Sequence, residues 1–338
     1  MKNFNALVLE KNQADVLVAN YRQAEQTELS AGNVLIKVAY SSVNFKDALA
    51  SDEKSGVVRS YPIIPGIDLS GTVLESADPS FTVGQEVLVT GYGLGVSHSG
   101  GFSEVAQVPG EWIIPLPAGL SLKDSMIFGT AGLTAALSVN ALEKQGLRQN
   151  KEAEILVTGA SGGVGSIAIG ILKQLGYHNI TALSRKKDTS STYFTDLGVK
   201  KVVTIEEISP EKARPLLKQA YDYILDTVGG KQLETLIPQI AYDGSISLCG
   251  NAGGVAFGTT VLPYILRGVN ILGIDSVNIS NERRLYMWNR LASDMMPANI
   301  EQFAKAEIGL AELPEAFAQL KAGTMTGRNL VKVNSLNQ

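Results

Sequence analysis

The chain has 338 residues, 45% of them apolar and 18% charged, with a formal net charge of −4. That length suits two domains rather than one core, and the near-neutral balance gives no basic surplus to recommend a nucleic acid or a membrane surface as partner. A single cysteine, Cys249, excludes an internal disulfide and any cysteine-cluster metal site. The apolar stretch within Met1–Glu10 is too short for a signal peptide or a membrane span, so cytoplasm is the expected location.

The first third reads as strands and turns. Segments 34–40, 66–74 and 83–90 are apolar or β-branched and are separated by glycine, proline and serine, which predicts a small, partly open barrel. From about Ser121 the pattern changes. Ser121 reads as an N-cap with Asp124 three residues on, and 132–143 reads as a helix rich in Ala and Leu.

The most informative stretch follows, Glu154-Ile-Leu-Val-Thr-Gly-Ala-Ser-Gly-Gly-Val-Gly165. It predicts a buried strand, a tight turn, and a helix from about Gly163 to Leu175-Gly176. This is G-x-G-x-x-G with Ala160 at the first glycine, in the strand-then-helix context that the motif needs. Ser161, Gly162, Gly163 and Val164 are the candidates to cradle a pyrophosphate at the helix N-terminus. A second strand at 179–183 ends in Ser184-Arg185-Lys186-Lys187, where an NAD-selective fold carries Asp or Glu for the ribose 2′-OH. A hydroxyl and a guanidinium suit a 2′-phosphate, so Ser184 and Arg185, with Lys201 nearby, favour NADPH over NADH. The plainer alternative is a solvated basic loop.

Strands near 201–205, 222–226, 245–249 and 269–275, with helical segments at 210–220, 231–240 and 261–267 between them, predict a doubly wound parallel sheet. A helix at 282–292 and a strand at 329–333 are expected to return to the first domain. The expected domains are therefore 1–121 with 279–338, and 122–278, with the active site in the cleft between them. The apolar edge strand at 269–275 invites pairing about a two-fold axis, which predicts a homodimer. Both histidines, His98 and His178, read as unpaired surface residues, and Cys249 as a packed strand thiol.

Six segments carry a resemblance that spans essentially the whole chain. They are Ser41-Ser-Val-Asn-Phe-Lys-Asp-Ala-Leu49, Pro65-Gly-Ile-Asp-Leu-Ser-Gly71, Phe128-Gly-Thr-Ala-Gly-Leu-Thr134, the glycine motif, Asp226-Thr-Val-Gly-Gly230, and Ile265-Leu-Arg-Gly-Val269 with Gly273-Ile-Asp-Ser-Val277. In this order they resemble the medium-chain dehydrogenase/reductase superfamily, and within it the YhdH/YhfP branch of quinone oxidoreductases and acryloyl-CoA reductases. The resemblance implies an α/β fold: a GroES-like, partly open β-barrel catalytic domain plus a Rossmann doubly wound parallel-sheet domain.

Zinc alcohol dehydrogenases of that superfamily place Cys where this chain has Asn44, Gly-His-Glu where it has Gly66-Ile67-Asp68, and a further Cys near Gly129-Thr130. A tetrahedral zinc site cannot be assembled from this set, so no metal is expected. Asp68 reads as structural.

The resemblance puts Asn44 at the nicotinamide end of the cofactor, with Asp47 one helical turn on and Tyr40 upstream. Two readings stay open for each. Asn44 is a hydrogen-bond donor to developing charge or a helix cap. Asp47 is catalytic or orients backbone. Tyr40 is a proton donor or a packed strand ring. Asn251 is expected as a cofactor contact near the nicotinamide half, and Ser276 with Arg328 as cofactor contacts at the closing of the cleft. The implied reaction carries hydride from NADPH to the β-carbon of an α,β-unsaturated acyl thioester such as acryloyl-CoA. The alternatives are a quinone or enone reductase of broad acceptor range, and an NADPH-binding protein without turnover. No basic cluster for the 3′-phosphate of coenzyme A stands out.

Overall fold

A computed structural model describes residues 3–333. The chain opens with an antiparallel pair, β1 (Asn3–Lys11) and β2 (Leu17–Glu25), followed by β3 (Val34–Ser42) and a short helix α1 (Phe45–Ala50). Strands β4 (Asp68–Ser76), β5 (Glu86–Thr90), β6 (Val105–Val108) and β7 (Ile114–Pro115) come next. Helix α2 (Leu122–Lys144) is interrupted at Gly129, whose φ of 51° and ψ of −154° are not helical.

Alternation then sets in: β8 (Ile155–Thr158), α3 (Gly163–Gln174), β9 (Ile180–Leu183), α4 (Ser191–Leu197), β10 (Lys201–Val203), α5 (Ile205–Ile208) and β11 (Tyr221–Asp226). It continues through α6 (Leu233–Leu236), β12 (Ile240–Leu248), α7 (Leu262–Arg267) and β13 (Asn270–Gly273). The tail holds α8 (Asn281–Leu291), β14 (Ala304–Ile308), α9 (Leu313–Lys321) and β15 (Arg328–Lys332).

Two compact units result. The first runs up to Thr130 and takes in Val277–Ala292 and the chain from Asn299; the second is Ala131–Ser276 with Ser293–Ala298.

In the first unit a seven-stranded sheet has the order β14-β15-β3-β4-β5-β7, and β6 also pairs with β3. Only the β14–β15 pair is parallel. On β3, Val34, Ile36 and Val38 alternate onto one face and meet Leu69, Val87, Val89 and Phe102 in a single core. The tail supplies Phe317, whose ring lies 6.0 Å from that of Phe102.

In the second unit six strands are parallel in the order β10-β9-β8-β11-β12-β13. This is the Rossmann order, with its switch point between β8 and β11. All four residues of β8 are buried, as a strand covered on both faces requires.

The helix expected at 210–220 is absent: that stretch carries no regular secondary structure. Pro215 sits where it would break such a helix. The backbone is satisfied by neighbours instead. Leu217 and Ala220 donate to the carbonyls of Pro238 and Gln239. Arg267, from the Ile-Leu-Arg-Gly-Val segment, donates to the carbonyls of Leu217, Pro238 and Ile240. The expected helix at 231–240 is a run of short turns, with α6 between two 3₁₀ segments.

Candidate active site

The first unit gathers a buried polar network from five segments. β3 ends in Ser41 and Ser42, and Asn44 caps α1. Asp47 lies in the first turn of α1, Asp68 opens β4, and Arg328 opens β15. Gly129 and Thr130, at the break in α2, complete it. Asp68 is fully buried, and its carboxylate accepts from four donors. These are the Ser42 hydroxyl at 2.7 Å, Asn44 Nδ2 at 2.7 Å, the Thr130 hydroxyl at 2.5 Å and the Thr130 N–H at 2.9 Å. A carboxylate offers about four lone-pair sites, so this one is saturated.

The break in α2 makes that geometry possible. A Cβ on Gly129 would lie 2.5 Å from Asp68 Oδ2, 2.6 Å from Ser42 Oγ and 2.8 Å from Arg328 Nη2. Only a glycine lets the backbone turn there and aim the next N–H at the carboxylate.

Arg328, 3% exposed, faces Asp68 at 3.9 Å. It donates to the Ser42 hydroxyl (2.6 Å), Asn44 Oδ1 (3.0 Å) and the carbonyls of Val43 (3.4 Å) and Ile127 (3.2 Å). Burial lowers the pKa of its guanidinium, and the negative charges of Asp68 and Asp47 work against that shift.

Asp47 is also fully buried. Its two oxygens accept the N–H groups of Asn44 (2.8 Å) and Ile67 (3.0 Å). Burial first, then repulsion from Asp68, pushes its carboxyl up to about 7, although those two hydrogen bonds oppose the shift.

The structure therefore brings Asn44, Asp47 and Arg328 together and adds Ser42, Asp68, Gly129 and Thr130. Asp68, read from the sequence as structural, lies at the centre of this hydrogen-bond network. The Asn44 amide is fully engaged, with both its hydrogens donated, to Asp68 and to the Ser42 carbonyl at 3.2 Å, and its oxygen accepting from Arg328. Tyr40 is half-buried in β3, and among the described residues no hydrogen bond joins it to Asn44, Asp47 or Asp68.

His98 departs from expectation. It is buried, and both ring nitrogens face carbonyl oxygens, of Ser99 at 3.0 Å and Ala31 at 2.9 Å. His178 is exposed.

The second unit holds the glycine turn. Gly159 has φ of 56°, and a Cβ there would meet Thr227 Oγ1 at 2.3 Å; one on Gly165 would meet the Gly159 carbonyl at 2.5 Å. Glycine at these positions lets α3 start tight against the ends of β8 and β11. Ser166 is the first residue of α3 to reach back, to the Gly162 carbonyl at 3.0 Å. The N–H groups of Gly163, Val164 and Gly165 thus open the helix as an anion-binding end.

Ser161 and Ser184 are buried with their hydroxyls 3.3 Å apart, and Arg185 beside them is exposed. Burial and the neighbouring Arg185 lower the pKa of Lys186. These residues fit a dinucleotide carrying a 2′-phosphate. Lys201 is not grouped with them: it opens β10 opposite Thr181, at the far end of that strand pair from Ser184. Asn251 is exposed in the turn after β12. The Ser276 hydroxyl accepts from Thr134 at 2.8 Å. The bracket of the switch point is Asp226, which accepts from the Thr158 hydroxyl, the Gly229 N–H and the Gln232 amide. Cys249 donates to the Asp226 carbonyl at 3.2 Å, and burial pushes its thiol up to about 12, far from a reactive thiolate.

Residues 30–118 match the alcohol dehydrogenase GroES-like domain, and residues 163–293 match the zinc-binding dehydrogenase model. Over 333 residues the chain is 41% identical to the acrylyl-CoA reductase AcuI of Ruegeria pomeroyi, covering 98% of this chain and 100% of that one. The chain belongs to the medium-chain dehydrogenase/reductase superfamily, in its YhdH/YhfP branch.

Two solved structures of that branch share its architecture. Escherichia coli YhdH with bound NADPH superposes with a TM-score of 0.91 at 44% identity, covering 97% of this chain and 100% of that one. Bacillus subtilis YhfP with NAD bound gives 0.93 at 44% identity, covering 98% and 100%.

The match to the zinc-binding dehydrogenase family covers residues 163–293, a span that contains none of residues 44, 67, 68, 129 or 130. At those positions the only zinc-competent ligand type is the Asp68 carboxylate, saturated by four donors and faced by a guanidinium. The residues present do not fit a catalytic zinc.

Proposed function

We propose that this superfamily member is an NADPH-dependent, zinc-independent reductase of α,β-unsaturated acyl thioesters of the acrylyl-CoA type. The observation that carries the reading is the full-length similarity to an acrylyl-CoA reductase, joined to a site in which a buried guanidinium faces the saturated Asp68 carboxylate. NADPH bound at the glycine turn supplies hydride for the β-carbon of the acceptor. Ser161, Gly162, Gly163 and Val164 hold its pyrophosphate, and Ser184 and Arg185 its 2′-phosphate. Asn251 and Ser276 contribute further cofactor contacts.

The acceptor's carbonyl oxygen gains negative charge as hydride arrives, and a preorganised donor there lowers the barrier. Asn44 is that donor. Its Nδ2 bond to the Ser42 carbonyl is the longer of two, 3.2 Å against 2.7 Å to Asp68, and is the one exchanged for the acceptor. Asp47, with both oxygens on backbone N–H groups, holds Asn44 in place rather than touching the acceptor. Steady-state NADPH oxidation against acrylyl-CoA, crotonyl-CoA, a simple enone and a quinone tests the reading. A preference for acrylyl-CoA supports it, and comparable rates with quinones favour the second reading, which rests on the quinone oxidoreductase name of YhfP.

The homodimer is proposed on the edge strand. β13 ends the parallel sheet, its Ile271 is 38% exposed, and Val261, Ile265 and Leu266 on the adjoining segment are also exposed. A second copy pairing there covers them, and a cytoplasmic location follows the same reading. Light scattering is expected to give a dimer that Ile271→Lys converts to monomer; a monomeric parent protein refutes it.

A further inference from the structure

We infer that Arg328 is the positioning residue of the active site, acting through Asn44: its guanidinium clamps that side-chain amide in the one orientation that presents Nδ2 to the acceptor. The inference rests on the proposed reductase activity only for its kinetic arm.

An asparagine amide has a donor end and an acceptor end of nearly identical shape, so its orientation is set by its partners. Here the partners leave no ambiguity. Arg328 has only donors and lies 3.0 Å from Asn44 Oδ1; the Asp68 carboxylate accepts Nδ2 at 2.7 Å. A flipped amide would set N–H against guanidinium and oxygen against carboxylate, two repulsive contacts in a buried site.

The clamp itself is braced. Arg328 is held by the carbonyls of Ile127 and Val43, and the Ser42 hydroxyl relays it to Asp68, accepting from Nη2 at 2.6 Å and donating to Oδ2 at 2.7 Å. Planar, multidirectional donation of this kind is specific to arginine; a lysine ammonium supplies the charge but cannot reach the Asn44 oxygen, the Ser42 hydroxyl and two carbonyls together. Arg328 is 3% exposed, which suits a residue that acts through its neighbour. This revises its expected role as a direct cofactor contact.

The test uses Arg328→Lys, Asn44→Ala and the double variant in the full chain. In ¹⁵N spectra the Asn44 side-chain amide gives two resolved proton signals, assigned by their disappearance in Asn44→Ala. Arg328→Lys is expected to shift and merge them while NADPH affinity, read by cofactor fluorescence, stays at the parent value. It is also expected to lower kcat about 10- to 100-fold, the loss of a hydrogen bond to a charged group, with the acceptor KM little changed. In the Asn44→Ala background the same substitution is expected to lower kcat no further.

Should Arg328→Lys fail to fold, Ser42→Ala, which removes only the relaying hydroxyl, is expected to shift the same signals and lower kcat by a smaller factor. Unchanged Asn44 signals, additive losses in the double variant, or weakened NADPH binding as the main effect would each overturn the assignment. If no acceptor is turned over by the parent protein, the reductase reading fails, and the amide signals still decide the role of Arg328.

Discussion

Gly129→Ala puts the site's architecture under the sharpest strain. At φ 51° and ψ −154° an alanine occupies backbone space that is essentially glycine's alone, at a cost of about 1–3 kcal/mol. Its methyl group also arrives 2.5 Å from Asp68 Oδ2, 2.6 Å from Ser42 Oγ and 2.8 Å from Arg328 Nη2. None of the three side chains can swing away, since each is buried and hydrogen-bonded to at least two partners, so overpacking adds about 1–3 kcal/mol. The total, about 2–6 kcal/mol, is a large share of the 5–15 kcal/mol typical of a whole fold.

Gly56→Ala is the control. That residue has φ of 67° and nothing within 4 Å of an added Cβ, so only the left-handed backbone penalty of roughly 1–2 kcal/mol applies. Urea denaturation of both variants is expected to show the larger midpoint loss for Gly129→Ala, at equal slope. Its kcat is expected to fall as the network is pried apart, while NADPH affinity, which we propose to be set by residues of the other unit, is expected to hold. Equal midpoints for the two variants, or full kcat in Gly129→Ala, would refute the reasoning.

Three further outcomes are expected. Arg185→Ala weakens NADPH by about 10- to 100-fold and leaves NADH nearly untouched, measured by fluorescence titration; equal loss for both cofactors would make Arg185 structural. Turnover survives exhaustive dialysis against a chelator, and added zinc does not raise it; a chelator-sensitive rate restored by zinc would overturn the metal-free site. Asp47 ionises near its ordinary 3.8 when unfolded but near about 7 in the fold, so between those values the unfolded chain binds fewer protons and stability falls as pH rises, levelling off above 7. Urea midpoints against pH should therefore decline for the parent relative to Asp47→Asn across that window, and parallel profiles would count against the shifted carboxyl.

Much of the second unit was legible because its signals are local. An apolar run, clustered glycines and a helix follow one another within about two dozen residues, and the strand alternation sets the sheet. The error at 210–220 was also local: Pro215 stands in mid-segment, and Arg267, about fifty residues on in the chain, ties the Leu217 carbonyl of the loop to the carbonyls of Pro238 and Ile240. The site of the first unit was only half legible. Asn44 and Asp47 are close in sequence, and their helix-capping pattern is readable. Asp68 reads as structural until Thr130 and Arg328 are seen to converge on it across 62 and 260 residues of chain. Gly129 is the least readable of all, since its importance lies in three side chains that would touch a methyl group it does not have.

The charges of the network explain why these residues depend on one another. Two carboxyls, Asp47 and Asp68, lie fully buried in the first unit, and a buried charge without a partner costs several kcal/mol. Asp68 faces the Arg328 guanidinium and accepts from four hydrogen-bond donors. Asp47 accepts from two backbone N–H groups, and its carboxyl is the one that burial raises to about 7. The asymmetry divides the work. Asp68 aligns the Asn44 side chain by accepting from its Nδ2, and Asp47 keeps the Asn44 backbone in place by accepting from its N–H. A metal held by Asp68 would need the oxygens that Ser42, Asn44 and Thr130 already occupy, and would have to displace a guanidinium fixed by four hydrogen bonds. The same set of contacts that excludes the ion therefore supplies the cation and the orientation that the site requires.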